Sequence, residues 1–90
     1  MSNRKRFHLI IRSDCPWCEK AQKLLSEENY RFDVDIMDSE PELLLEIKKS
    51  LGHKTVPMIW EIDFLGKKTF VGGYDDLTRH LNKTKRILNG

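Results

Sequence analysis

The chain has no apolar run approaching the ~20 residues of a membrane-spanning helix, and a span is not expected. Charge of one sign is scarce as well: 16 basic residues against 14 acidic ones leave a net charge of +2. The basic residues cluster near the two ends, at Arg4-Lys5-Arg6 and at Lys83, Lys85 and Arg86, with no aromatics between them. A nucleic-acid surface uses such aromatics for stacking, so no nucleic-acid partner is expected. Solvated tails and a helix C-terminus that favours cations account for these residues. There is no repeat, linker or low-complexity segment. A chain of 90 residues is expected to form one domain, 1–90, burying roughly 60–65% of its unfolded surface. The basic N-terminal stretch is followed by too few apolar residues for a signal-peptide core, so the cytoplasm is the expected compartment. Cysteine is limited to two residues, three positions apart. A bridge closing so short a loop restrains little unfolded-state entropy, which argues against a structural staple and for a redox role.

What is present has clear periodicity. Arg6 to Ile11 reads as a short buried strand, and the segment from the cysteines to Glu28-Asn29 reads as a helix with Ala21, Leu24 and Leu25 on one face. Arg31 to Ile36 alternates, with Phe32, Val34 and Ile36 expected inward. Ser39 followed by Glu40-Pro41-Glu42 predicts a helix capped by the Ser39 hydroxyl. Leu43, Leu44, Ile47 and Leu51 recur at helical spacing before Gly52 ends that helix. Met58 to Ile62 and Lys68 to Val71 predict a hairpin. After Gly72-Gly73, Asp75 or Asp76 is expected to cap a last helix carrying Leu77, Leu81, Thr84 and Leu88. The order βαβ, α, ββα gives an α/β fold with one parallel pair and one antiparallel pair.

Cys15-Pro16-Trp17-Cys18 lies at the turn from the first strand to the first helix. With Cys15 as N-cap, Pro16 takes the first helical position, where its missing N–H is no loss. Cys18 follows one turn in, on the same side. A thiolate, not a thiol, attacks a disulfide, and free cysteine titrates near pH 8.5. The helix N-terminus, Arg12 and Lys20 are the groups expected to lower the Cys15 value. Cys18, deeper and without such help, is expected to resolve the mixed disulfide formed on Cys15. Structural zinc fails by count: four ligands are needed, and His8, His53 and His80 lack finger-like spacing to the cysteines. No metal is expected.

Three separated motifs together resemble the glutaredoxin family. Cys15-Pro16-Trp17-Cys18 is similar to its Cys-Pro-Tyr-Cys, Thr55-Val56-Pro57 matches its Thr-Val-Pro with a cis proline, and Gly72-Gly73-Tyr74-Asp75-Asp76-Leu77 resembles its Gly-Gly-x-Asp-Asp-Leu. The resemblance covers nearly the whole chain. It implies a thioredoxin-like fold, a four-stranded mixed sheet flanked by three helices, and it implies glutathione as cosubstrate. Glutathione is an extended tripeptide with two carboxylates and one ammonium. Residues Thr55 and Val56 would present backbone to its cysteinyl part like an added strand, turned toward Cys15 by a cis Pro57. Gly72 and Gly73 would permit close approach, and N–H groups near Tyr74 and Asp75 would bind the γ-glutamyl carboxylate. The Asp75 carboxylate would pair with the ammonium, Arg12 and Lys54 would hold the glycyl carboxylate, and Trp17 would pack on bound substrate. Tryptophan at 17 and arginine at 12 depart from the family's usual tyrosine and lysine.

The expected activity is therefore reduction of protein disulfides and glutathione mixed disulfides by a monomer, with ribonucleotide reductase as an acceptor suggested by resemblance alone. Two other readings share the cysteine pair. One is a redoxin reduced by thioredoxin reductase. The other is a protein that holds an iron–sulfur cluster through Cys15 and glutathione, against which the second cysteine weighs.

Overall fold

Apolar residues on both sides of Phe7-His8-Leu9-Ile10-Ile11 call for a strand covered on both faces. In the computed structural model, which describes the backbone of residues 5–89 and the side chains of residues 5–83, this segment is β1 (Arg6–Ile11). It is followed by α1 (Pro16–Glu27), β2 (Arg31–Ile36), α2 (Pro41–Leu51), β3 (Met58–Ile62), β4 (Lys68–Gly72) and α3 (Tyr74–Asn89). The sheet order is β2-β1-β3-β4. Strand β1 runs parallel to β2, with Phe7 opposite Phe32 and Leu9 opposite Val34, and antiparallel to β3, with Leu9 opposite Ile59. Strands β3 and β4 pair antiparallel. This is the thioredoxin-like arrangement expected, a mixed four-stranded sheet with three helices. No helix among the described residues is long and apolar enough to cross a membrane.

The two faces of the sheet are covered unequally. On one, Phe7, Leu9, Ile11 and Ile59 meet Cys18, Ala21 and Leu25 of α1 and Leu77 and Leu81 of α3, all of them buried. On the other, Ile10 and Met58 meet Leu44 of α2, with Ile47 and Leu51 half-buried around them. Burial of each large apolar side chain contributes about 1.5–3 kcal/mol against leaving it in water. His8 shares the second face, its ring nitrogens 3.5 Å from Asp33 Oδ1 and 3.0 Å from Asp35 Oδ2.

Helix ends are set by backbone geometry. The last turn of α1 closes with Tyr30 N–H donating to Leu25 O at 2.9 Å and Asn29 N–H to Ser26 O at 3.0 Å, with Asn29 left-handed at φ 63°. Helix α2 ends the same way: Gly52 is left-handed at φ 65°, and His53 N–H reaches Lys48 O at 3.0 Å.

Four expectations need correction. Ser39 does not cap α2; the cap position is Glu40, without a side-chain hydrogen bond. A residue before proline is driven out of the helical region, so Pro41 forces Glu40 to φ −129° and the helix starts one residue later than a Ser39 cap requires. Neither Asp75 nor Asp76 occupies the cap position of α3. Gly73 does, its carbonyl accepting from Leu77 N–H at 2.9 Å, while Asp76 reaches back to the Gly73 N–H at 3.0 Å. Ile36 is exposed, because it ends an edge strand and lies outside the side chains packed under α1. Leu43 is exposed as well; only its neighbour Leu44 points fully at the sheet. Arg4, and the side chains of Thr84, Lys85, Arg86 and Leu88, lie outside the described residues.

Candidate functional site

Strand β1 ends at Ile11, and the next three residues carry the chain over the sheet edge to α1. This loop is clasped to the segment after β2. Ser13 N–H donates to Asp38 Oδ1 at 2.9 Å, and the Ser13 hydroxyl donates to the other Asp38 oxygen. The Ser13 hydroxyl, then its N–H, then the nearby Arg12 charge hold the Asp38 carboxyl below the usual carboxylate range. Met37 N–H donates to Ile11 O at 2.9 Å, so backbone and side chain fasten the same two segments.

Cys15 is the N-cap of α1, in extended geometry, with Pro16 in the first turn as expected. Cys15 and Cys18 are joined as a disulfide, with their Cα atoms 5.2 Å apart. Cys15 is half-buried and Cys18 fully buried beneath the helix start. The Cys18 N–H points at Cys15 Sγ from 3.1 Å, and Val56 O lies 3.8 Å from the same sulfur. The Val56–Pro57 peptide bond is cis. The sulfur of residue 15 thus sits between a helix N-terminus below and the Val56 backbone beside it.

Next to Val56 opens a groove of about 360 Å³. Thr55, Val56 and Pro57 form one wall and Gly73, Tyr74 and Asp75 the other. Trp17 closes one end, its ring 5.6 Å from that of Tyr74. The backbone N–H groups at the start of α3 have no acceptor within the helix, and they face a site already rich in main-chain polar groups. Gly72, behind the groove, has φ 123°, and a Cβ there would meet the Asp76 carboxylate and lie 2.9 Å from Asp76 Cβ. A Cβ on Gly73 would meet nothing nearer than 3.8 Å. The fold therefore demands glycine at 72, whereas residue 73 has room for a Cβ.

Of the site residues expected from sequence, Trp17, Thr55, Val56, Pro57, Gly73, Tyr74 and Asp75 line this one groove, beside Cys15. Arg12 and Lys54 do not. Arg12 lines a cavity on the far side of Lys48, with its Nε 3.6 Å from Asp14. Lys54 lines a cavity at the end of α2 that meets the groove only at His53. Lys20 lies over the Trp17 ring, 4.3 Å from its centroid, instead of standing free beside Cys15.

Two further residues line the groove: His53, which the sequence does not mark as a site residue, and Asp76, expected there only as a helix cap. His53 sets its Nε2 3.5 Å from Thr55 Oγ1 and its ring edge-on to Phe70. Its position two residues before Thr55 was the available signal. Asp76 faces the groove from the first turn of α3. The Gly73 N–H, helped by the Arg79 guanidinium at 2.6 Å and working against partial burial, keeps its carboxyl below the usual range. Among the described residues, no group of three or more His, Cys, Asp and Glu side chains is placed to hold a metal ion.

Residues 7–63 match the family model described as Glutaredoxin. A glutaredoxin of Pseudomonas aeruginosa is 41% identical over 63 residues, 70% of this chain and 69% of the relative. Glutaredoxin 1 of Rickettsia conorii is 39% identical over 80 residues, 83% of this chain and 74% of the relative. The solution structure of a Brucella melitensis glutaredoxin superposes with a TM-score of 0.70 at 30% identity, covering 89% of this chain and 82% of that one. A buckwheat glutaredoxin–glutathione complex has the same fold, with a TM-score of 0.72 at 20% identity, covering 94% of this chain and 76% of that one. With a family match over most of its length and a cysteine pair held at a helix start beside a cis proline, the chain belongs to the glutaredoxin family of thiol oxidoreductases.

Proposed function

We propose that the protein is a glutathione-dependent thiol–disulfide oxidoreductase in which Cys15 attacks and Cys18 resolves. The observation that carries this reading is the groove beside Cys15, whose donors and charges suit an extended tripeptide with a free amino-acid end. In the reduced protein the Cys18 N–H and the α1 N-terminus favour a thiolate at Cys15. That thiolate attacks the glutathionyl sulfur of a mixed disulfide in line with the departing thiolate. The new Cys15–glutathione bond forms as the old S–S bond breaks, and the target thiolate leaves and takes a proton from solvent. A free glutathione thiolate then attacks the glutathionyl sulfur on Cys15, giving glutathione disulfide and restoring Cys15.

For a protein disulfide, Cys15 attacks one sulfur and the target's second cysteine leaves as thiolate. Cys18 then attacks Cys15 Sγ, forming the internal disulfide and freeing the reduced target. Two glutathione molecules reduce that disulfide in turn, and glutathione disulfide is the product.

Val56 N–H and C=O pair with the cysteinyl residue of glutathione as a short added strand. The γ-glutamyl carboxylate takes the α3 N–H groups at Tyr74 and Asp75, and the Asp75 carboxylate takes the ammonium. Trp17 and Tyr74 cover the apolar side. Lys54, across His53, supplies charge for the glycyl carboxylate, and Arg12 adds to it from beyond Lys48.

The test is turnover of a small glutathione mixed disulfide, coupled to glutathione reductase, with thioredoxin reductase as the comparison electron source. Wild type should turn over with glutathione, Cys15→Ser should be inactive, and Cys18→Ser should keep deglutathionylation while losing protein-disulfide reduction. Turnover with thioredoxin reductase alone, or loss of deglutathionylation in Cys18→Ser equal to that in Cys15→Ser, contradicts the assignment.

A further inference from the structure

The end of α2 carries two lysines, Lys48 and Lys49, that the tripeptide reading leaves unused. A cavity of about 380 Å³ is lined by Leu45, Lys48, Lys49, Gly52, His53 and Lys54, with no carboxylate among them. Among the described residues, none of the three lysines forms an ion pair. Leu45 between them is 52% exposed. The neighbouring cavity shares Leu45 and Lys48 and is of mixed charge, with Arg12 and the Asp38 carboxylate in its lining. The groove beside Cys15, by contrast, carries two carboxylates, Asp75 and Asp76, and meets the lysine cavity at His53. The lysine cavity and the groove therefore carry charge of opposite sign on either side of His53.

Lys48 and Lys49 in the last turn also offset the negative end of the α2 dipole. That role does not account for the exposed leucine framed by the cations, and the tripeptide reading uses only Lys54. The platform is firm, since the His53 N–H to Lys48 O bond pins the loop against the helix end.

We infer that this end of α2 docks an acidic segment of the protein substrate whose disulfide Cys15 attacks. The inference rests on the redox reading above, because its occupant is that reaction's protein substrate. Unpaired cations around an apolar floor complement Asp and Glu side chains beside a hydrophobic residue. Positive potential next to a reactive sulfur raises the encounter rate of such a partner.

Two peptides test it, identical except that one has Asp and Glu flanking a glutathionylated cysteine where the other has Asn and Gln. Turnover is measured for wild type and for the Lys48→Gln, Lys49→Gln double variant, at low and high salt, with the glutathione–mercaptoethanol mixed disulfide as a small reference. Wild type should process the acidic peptide about tenfold faster in kcat/KM than the neutral one. High salt and the double variant should each remove most of that advantage, and the small disulfide should react equally with both proteins. Equal rates for the two peptides, or an advantage that survives the double variant, overturns the inference. So does equal slowing of the small disulfide, which would assign the lysines to glutathione itself. A wild-type dimer that the double variant dissociates would make a second copy the occupant, again overturning it. Absence of turnover on all three substrates would instead sink the redox reading on which the inference stands.

Discussion

Replacing Gly72 with alanine should be among the costliest single-methyl additions in this protein. Gly72 links β4 to α3 with φ 123°, a conformation that costs a residue with a side chain of order 1–3 kcal/mol. The added Cβ would also lie 2.9 Å from Asp76 Cβ and against the Asp76 carboxylate. To relieve that contact Asp76 must swing away, breaking its 3.0 Å bond to the Gly73 N–H. Losing a capping interaction of this kind costs about 1 kcal/mol. Together the two effects give a loss of roughly 2–4 kcal/mol, or a fall in Tm of roughly 10–30 °C for a domain of this size. Thermal and urea unfolding followed by far-ultraviolet circular dichroism would measure it. A double-mutant cycle with Asp76→Ala isolates the carboxylate, since that change removes it and leaves the dihedral strain and the Cβ–Cβ contact. In the Asp76→Ala background, Gly72→Ala should cost less by about 1 kcal/mol. A Gly72→Ala protein as stable as wild type would refute the reasoning outright, and strict additivity would show that the carboxylate does not fill that space. Gly73→Ala is the internal contrast: its stability should stay within about 1 kcal/mol of wild type, while glutathione affinity falls.

Asp38→Asn removes one of the two acceptors that clasp Ser13, so the Ser13 amide should exchange faster by NMR while the core amides of β1 keep their protection. Acid should loosen both clasped ends of the site. Asp38 and Asp76 have folded-state pKa values below their unfolded ones, so their contribution is complete above about pH 4 and lost as pH falls through the lowered values. Stability measured from about pH 5 downward should fall less steeply for Asp76→Asn than for wild type, and parallel curves would contradict the assignment. Ser39→Ala should change stability by less than about 0.5 kcal/mol, since Ser39 caps nothing. Leu25→Ala, in the core between α1 and the sheet, should cost about 2–5 kcal/mol, and a smaller value would mean that the site collapses around the lost side chain.

Much of this architecture follows from rules that act over a few residues. Pro16 and Cys15 define the start of α1 wherever the rest of the chain goes, and alternation in β1 fixes which residues meet each layer of helices. The three motifs carried the groove because its walls are short contiguous segments. What escaped the sequence depends on where separate pieces meet. Ile36 alternates like an inward residue, but its exposure depends on β2 being an edge strand. Lys20 and Trp17 sit three apart on one helix, and whether the ammonium faces the sulfur or the ring is decided by a rotamer. Arg12 has a carboxylate of the protein's own, on Asp14, beside it, a pairing that its place in the sequence does not announce. The start of α2 is by contrast legible in the sequence, since Pro41 constrains Glu40 and leaves Ser39 outside the cap.

All of the proposed chemistry depends on a sulfur anion at residue 15, stabilised by the start of α1 and the Cys18 N–H. The most direct measurement is the rate of iodoacetamide alkylation of Cys15 in the reduced protein as a function of pH, with Cys18→Ser used to isolate the site. The account predicts a midpoint well below the ~8.5 of free cysteine. A midpoint at the free-cysteine value would contradict it.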